Sequence, residues 1–353
     1  MFTLYNKVLR VNEINFFQRQ RRPVESGAHR HYSRLCVSAA QLLCLRAHGI
    51  LSPVMTLEDC RHFYAEEIRF LANITSPAMV EAFARVPREK FVGPAPWQIS
   101  SPEQGGLAAL GMGNAPYITT DDPRDLYHNL LIALDPARRL NNGQPSALAH
   151  WINALNLKTG DRVFHLGCGV GYYTAIMAEV VGPNGKVVAS EVDTDLASRA
   201  RENLAGYTNV TVHAGDGAAF DPGTCDAMLI NAGVTHPHLP WLERLAEGGR
   251  LVLPITAAIG TTSFGSGVMA KITRERGVLA AQVITFTAIF SCTSVRDPQL
   301  DPLLGKALAT RTLLKLKSVR LDQHDPADTC VIHRRDVCLS SADPVAGHEA
   351  LAS

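Results

Sequence analysis

"VFHLGCGVGYYT", residues 163–174, decides the fold. A short apolar run reaches three glycines and then enters a stretch of helical character, so the segment reads as a strand-to-helix turn. Glycines at such a turn let a ligand lie directly against the backbone. In the dinucleotide fingerprint G-x-G-x-x-G the third glycine would fall at position 172, which is Tyr172. The glycines here are Gly167, Gly169 and Gly171, spaced G-x-G-x-G. The register therefore departs from the one that cradles a pyrophosphate.

Outward from this turn the hydrophobic period is that of a parallel α/β unit. "RVFHL" (162–166), "KVVASEV" (186–192), "NVTVHAG" (209–215), "CDAMLIN" (225–231) and "GRLVLPI" (249–255) are short, apolar and bounded by Gly, Asn or Asp. Helical stretches alternate with them: "YYTAIMAEVVG", "TDLASRARENLAGY" and "LPWLERLAEG". That alternation predicts a mostly parallel sheet with helices on both faces. Downstream, "GVMAKITRERGVLAAQVITFTAIF" predicts two antiparallel strands around "RERG", followed by a helix at about 301–315 and a closing strand "DTCVIHRRDVCLS". Upstream, Thr56 and Ser76 are N-cap candidates for two helices, residues 93–120 read as loop, and "DDPRDLYHNLLIALD" and "QPSALAHWINALNL" read as two more helices. The expected organisation is an extension over residues 1–54, a helical preface over 55–158, a strand-and-helix core over 159–260, and completing strands and helix over 261–353.

Composition narrows the class. The chain has 353 residues, of which 46% are hydrophobic and 19% charged, ample for a core. A formal net charge of +1 argues against a dedicated nucleic-acid binder. No apolar run reaches the ~18 residues of a membrane span. None of the eight cysteines forms a CxxC pair, and no Cys/His cluster has zinc-finger spacing. The expectation is a cytoplasmic protein with reduced thiols, no metal, no membrane or nucleic-acid partner, and an oligomeric state left open. Residues 1–54 place Arg19, Arg21, Arg22, Arg30 and Arg34 ahead of "LCVSAAQLLCL", an arrangement too late in the chain for a signal sequence.

The turn and the residues after it resemble Rossmann-like S-adenosylmethionine methyltransferases. A ribose needs an acceptor for two hydroxyls, and Glu191 ends the second strand about 20 residues beyond Gly171. Asp216 follows the third strand and is placed to accept from an adenine amino group. The resemblance implies a donor site of His165, Gly167, Cys168, Gly169, Gly171, Glu191, Val192, Asp216, Gly217 and Asn231. His165 stands where many such enzymes carry an acidic residue, and an imidazole cannot supply that charge.

A narrower resemblance covers roughly residues 76–255. "ARVPREKFVG" (84–93), "GQPSALAHWINAL" (143–155), "NVTVHAGDG" (209–217) and "GGRLVLPI" (248–255) are similar to protein L-isoaspartate O-methyltransferase. That family methylates the side-chain carboxyl of isoaspartate in damaged proteins, so the implied partner is an isoaspartyl peptide or protein. It carries a serine immediately before the Gln-Pro pair, where this chain has Gly143 preceded by Asn141 and Asn142. The implied catalytic segment is therefore Asn142, Gly143 and Gln144, with a backbone or asparagine amide replacing the hydroxyl. Two alternatives stay open: a methyltransferase of the same build acting on a small-molecule carboxylate or modified peptide, and a donor-binding adaptor without catalysis. Tyr117, Tyr127, His128, Tyr172 and Tyr173 are further candidates for the acceptor cleft.

Overall fold

In the computed structural model, residues 55–103, 117–260 and 262–344 are described. The reading of residues 1–54 lies outside them. Helix α1 (Leu57–Leu71) opens with a reciprocal capping box between Thr56 and Asp59, and α2 (Pro77–Arg85) starts at the Ser76 cap with Pro77 in its first turn. Both are as the sequence predicts.

The next segment departs from expectation. Residues 93–120 contain strands β1 (Trp97–Ser100) and β2 (Ile118–Thr120), and residues 121–135 form only a 3-10 turn (Pro123–Leu126) before strand β3 (Leu131–Asp135). The predicted helix does not form because its backbone is used otherwise. The carbonyls of Leu126, His128 and Leu130 accept hydrogen bonds from the buried Arg88 guanidinium at 2.6, 2.9 and 2.8 Å. With β4 (Leu140–Asn141), these strands make a small antiparallel sheet in the order β2-β1-β3-β4. The preface is thus mixed, not helical.

Helix α3 (Pro145–Ala154) leads to the large sheet. Then come β5 (Arg162–Leu166), α4 (Tyr172–Val181), β6 (Lys186–Glu191), α5 (Thr194–Asn203), β7 (Val210–Ala214) and β8 (Cys225–Ile230). Helix α6 (Leu239–Arg244) stops short of the predicted end, and β9 (Leu245–Ala258) takes over the "LAEG" residues. A long ribbon follows, β10 (Phe264–Glu275) and β11 (Val278–Phe290), turning at Arg276–Gly277 as expected. Helix α7 (Asp301–Ala309) ends where Arg311 adopts a left-handed φ of +59°, so the predicted helix is interrupted and a 3-10 turn (Thr312–Lys315) follows. Last come β12 (Ser318–Arg320), β13 (Cys330–Ile332) and β14 (Cys338–Ser340). The predicted closing strand is in fact two short antiparallel strands joined at residues 333–337, where Arg334 bridges to Asp336.

Among the described residues the sheet has ten strands in the order β13-β14-β12-β11-β10-β9-β8-β5-β6-β7. The strands from β9 to β7 pair in parallel, and those from β10 outward pair antiparallel. Alternation sorts the core. Val163 packs with α3, α4 and α5 on one face, whereas Phe164 and Leu166 pack with α6 and α7 on the other. This is the expected α/β methyltransferase architecture, with a larger antiparallel share. Residues from Met55 on belong to one unit. Among the described residues, no helix is long and apolar enough to cross a membrane.

Candidate active site

The glycine bend sits at the carboxyl end of β5, where open parallel sheets bind ligands. Gly167 and Cys168 both donate their backbone N–H to the Ser190 carbonyl at the end of β6, at 2.9 and 3.1 Å. Gly171 has φ +92°, and a Cβ there would stand 2.7 Å from Leu204 Cδ1. It is therefore the residue that lets the start of α4 approach the end of α5. At Gly169 a Cβ would meet open space. The Cys168 thiol is buried, and that burial pushes its pKa up.

Glu191, 8% exposed, faces the bend: its carboxylate accepts from Gly169 N–H at 2.7 Å and from Asp193 N–H at 3.1 Å. Burial pushes this carboxyl above its ordinary range. Asp193 in turn caps α5, and its carboxyl is held low by the backbone N–H of Leu196 and by Arg138. Asp216 accepts from Ala218 N–H and from the Ser294 hydroxyl, each at 2.9 Å. Val192 is half exposed, and Gly217 lies so close to Ser190 Oγ that a Cβ would come within 2.1 Å. Asn231, after β8, donates through Nδ2 to the Gly167 carbonyl at 3.2 Å.

A cleft of about 640 Å³ opens on this bend. Gly167, Cys168, Gly169 and Asn231 line it, as do Asn142, Gly143 and Gln144. The two predicted groups are thus brought to one cavity, and Tyr173 ties them by donating its hydroxyl to the Gly143 carbonyl at 3.2 Å. Glu191, Val192, Asp216, Gly217 and Gly171 do not line the cavity. His165 differs from expectation more sharply. Its side chain turns under α4, shares a 2.9 Å hydrogen bond with Thr174, and is 1% exposed. Burial pushes the imidazole down to about 3, so it is neutral. It faces the core and not the cleft, because alternation along β5 puts it beside Val163 on the side packed against α3, α4 and α5.

The acceptor side also departs from the sequence reading. Gly143 N–H is taken up by Asn141 Oδ1 at 2.9 Å, so this backbone amide is not a spare donor. Gln144 Nε2 donates to Ser146 at 3.0 Å. Asn142 Oδ1 accepts from Ile132 N–H at 3.1 Å and from Arg88 at 3.4 Å, while its Nδ2 has no partner. Trp151, also on the wall, carries a second donor without a partner, Nε1. Tyr117 and Tyr172 line the cleft as well. Tyr127 does not: it is buried and donates its hydroxyl to Glu89. Nor does His128, whose carbonyl serves Arg88. The sequence reading missed Trp151 and the wall built by Phe264 and residues 286–290 of the β10–β11 ribbon. Only the long-range register of that ribbon brings it over the bend.

The profile of the protein-L-isoaspartate(D-aspartate) O-methyltransferase family matches residues 123–279. A protein-L-isoaspartate O-methyltransferase of Aeropyrum pernix is 33% identical over 202 residues, which is 56% of this chain and 67% of the relative. Protein-L-isoaspartate O-methyltransferase 1 of Archaeoglobus fulgidus is 31% identical over 205 residues, 57% of this chain and 82% of the relative. A solved protein-L-isoaspartate O-methyltransferase superposes with a TM-score of 0.51 at 21% identity, covering 73% of this chain and 72% of its own, a likeness of fold. Matching motifs, relatives and fold lead to one conclusion: the chain belongs to the protein-L-isoaspartate(D-aspartate) O-methyltransferase family of S-adenosylmethionine-dependent methyltransferases.

Proposed function

We propose that the chain transfers the methyl group of S-adenosylmethionine to the side-chain carboxylate of isoaspartyl residues, as the first step of protein repair. One observation carries the reading: the glycine bend and the Asn142–Gln144 segment line the same cleft, with Tyr173 bonded between them. In this reading the donor lies along Gly167–Gly169. Glu191 accepts from the ribose hydroxyls with lone pairs its two backbone donors leave free, and Asp216 accepts from the adenine amino group.

The chemistry asks for no base. A carboxylate with a pKa near ~4 is ionised at neutral pH. Its oxygen attacks the sulfonium methyl, the O–C bond forms as the S–C bond breaks, and the products are an ester and a neutral thioether. Two opposite charges vanish in this step, so apolar walls such as Phe264, Ile289 and Phe290 favour it over water. Rate comes from alignment. Gln144 Nε2, which gives one of its two N–H groups to Ser146, has a second with which to orient the carboxylate in place of a serine hydroxyl. Phe286, 68% exposed at the rim, offers apolar surface to residues flanking the acceptor in a peptide. The reading places the enzyme in the cytoplasm, where its thiols stay reduced.

A small-molecule carboxylate or modified peptide is the second reading, favoured by the glycine at position 143. The test is labelled donor offered to an isoaspartyl peptide and to its aspartyl twin. Base-labile label on the isoaspartyl peptide alone supports the first reading. Tight donor binding with no transfer to either peptide rejects it and leaves the second.

A further inference from the structure

We propose that the C-terminal end of the chain holds a structural zinc ion, ligated by His324, Cys330, His333 and Cys338. The sequence reading expects no metal, because the spacing His-x5-Cys-x2-His-x4-Cys matches no familiar finger. In the fold, one ligand atom from each of the four lies within 4.8 Å of all the others. They come from the exposed loop after β12, from β13, from the turn at 333–337, and from β14. None of them lines the active-site cleft, so the proposal is independent of the acceptor and donor assigned above.

The geometry fits zinc. His324 Nε2 and Cys330 Sγ are 3.5 Å apart. Tetrahedral zinc, with Zn–N of about 2.0–2.1 Å and Zn–S of about 2.3 Å, sets a nitrogen and a sulfur roughly 3.5 Å apart. The His324 and His333 rings approach with centroids 4.9 Å apart and planes at 78°. Two imidazoles and two thiolates are a set that selects zinc over the hard cations. The two thiolate charges cancel that of the ion, so a half-buried position costs little.

The surrounding groups are those a ligand set requires. His324 Nδ1 lies 2.8 Å from the Asp322 carbonyl, which can only accept, so the proton is on Nδ1 and the Nε2 lone pair faces the cluster. Ala327 N–H donates to Cys330 Sγ at 3.3 Å, which favours the thiolate. His333 carries a buried ring nitrogen, Nδ1, with no hydrogen-bond partner. The loop itself has no apolar anchor: residues 321–328 are exposed except His324. A single imidazole turns inward and holds it. With the ion in place, one centre fastens the loop, β13 and β14 to the edge of the sheet.

The test uses full-length protein, freed of any affinity tag and purified under reducing conditions from zinc-supplemented medium. Elemental analysis is expected to find about one zinc per chain. Cobalt put in its place is expected to show the visible bands of a tetrahedral ion and a near-ultraviolet thiolate charge-transfer band. Cys330→Ser and His324→Ala should each bring bound zinc to the level of a metal-free control. Chelation should quicken hydrogen exchange over residues 318–340 more than elsewhere. If a variant fails to fold, the cobalt spectrum of the unaltered chain still decides. A zinc-free chain with alkylatable thiols and no tetrahedral cobalt spectrum overturns the proposal, as does a Cys330–Cys338 disulfide in protein prepared this way.

Discussion

Gly143 holds φ +79°, and a Cβ there would stand 3.0 Å from Leu148 Cδ2 and 3.5 Å from Tyr173 Cε2. An L side chain enters that conformation at a cost of about 1–2 kcal/mol. Gly143→Ser is therefore expected to lower unfolding free energy by about that amount in a denaturant titration, and to leave isoaspartyl transfer no faster. Faster transfer by a stably folded G143S would show that the hydroxyl alone had been limiting. His165 carries a second expectation. It is neutral in the fold, with its pKa pushed down to about 3, whereas an unfolded histidine takes up a proton near ~6.5. Its contribution is complete above about pH 6.5 and is lost as the pH falls toward 3, by up to ~1.4 kcal/mol per unit. His165→Gln should flatten the decline in stability between neutral and mildly acid pH without abolishing it, because burial pushes His236 the same way, to about 4. An unchanged slope would contradict this. The glycine spacing and Glu191 were legible in the sequence because bend and strand end share one βαβ unit. The facing of His165 follows from strand alternation, which the family likeness overrode.

Among elements, the Val-Pro-Arg-Glu segment shows what its arginine does. Arg88 is fully buried, its guanidinium meets three carbonyls and Asn142, and it lies 5.5 Å from the Tyr64 ring centre. It shapes residues 126–142 and thereby sets the acceptor segment. Arg88→Met fills much of the space but orphans those carbonyls. A loss of about 3 kcal/mol or more is expected in chemical denaturation. Donor affinity per folded molecule should change less than transfer rate, since Arg88 touches only the acceptor side. A loss under 1 kcal/mol (roughly one ordinary hydrogen bond) would refute the clamp. The sequence misled at this scale for a definable reason. Leu126, Leu130 and Leu134 fall at helical spacing. The group that claims the backbone lies about 40 residues upstream, where a local window does not reach.

At the scale of the molecule, Arg250 joins the parallel core to α3. It donates to the carbonyls of Leu155, Asn156 and Asp226 at 2.7, 2.9 and 2.9 Å, and pairs with Asp161 at 2.6 Å. Both side chains of this pair are nearly inaccessible, so removing one partner strands the other. Arg250→Met is expected to cost roughly 3–5 kcal/mol, read as a lowered denaturation midpoint with the cooperativity of the transition retained. A midpoint left in place would show the pair to be dispensable. The parallel half of the sheet was readable strand by strand, because its strands are short apolar runs, three of which (β5, β6 and β8) are followed by a helix. The cleft was readable at the glycine bend and at residues 142–144. Its other wall comes from a ribbon whose position depends on pairings that no local pattern encodes. The two halves accordingly carry separable duties. Under the proposed donor site, recasting residues 286–290 should shift the range of methylated compounds while nucleoside recognition at 167–169 stays intact. A chain assembled in this way is free to drift toward unfamiliar acceptors without first surrendering its hold on the donor.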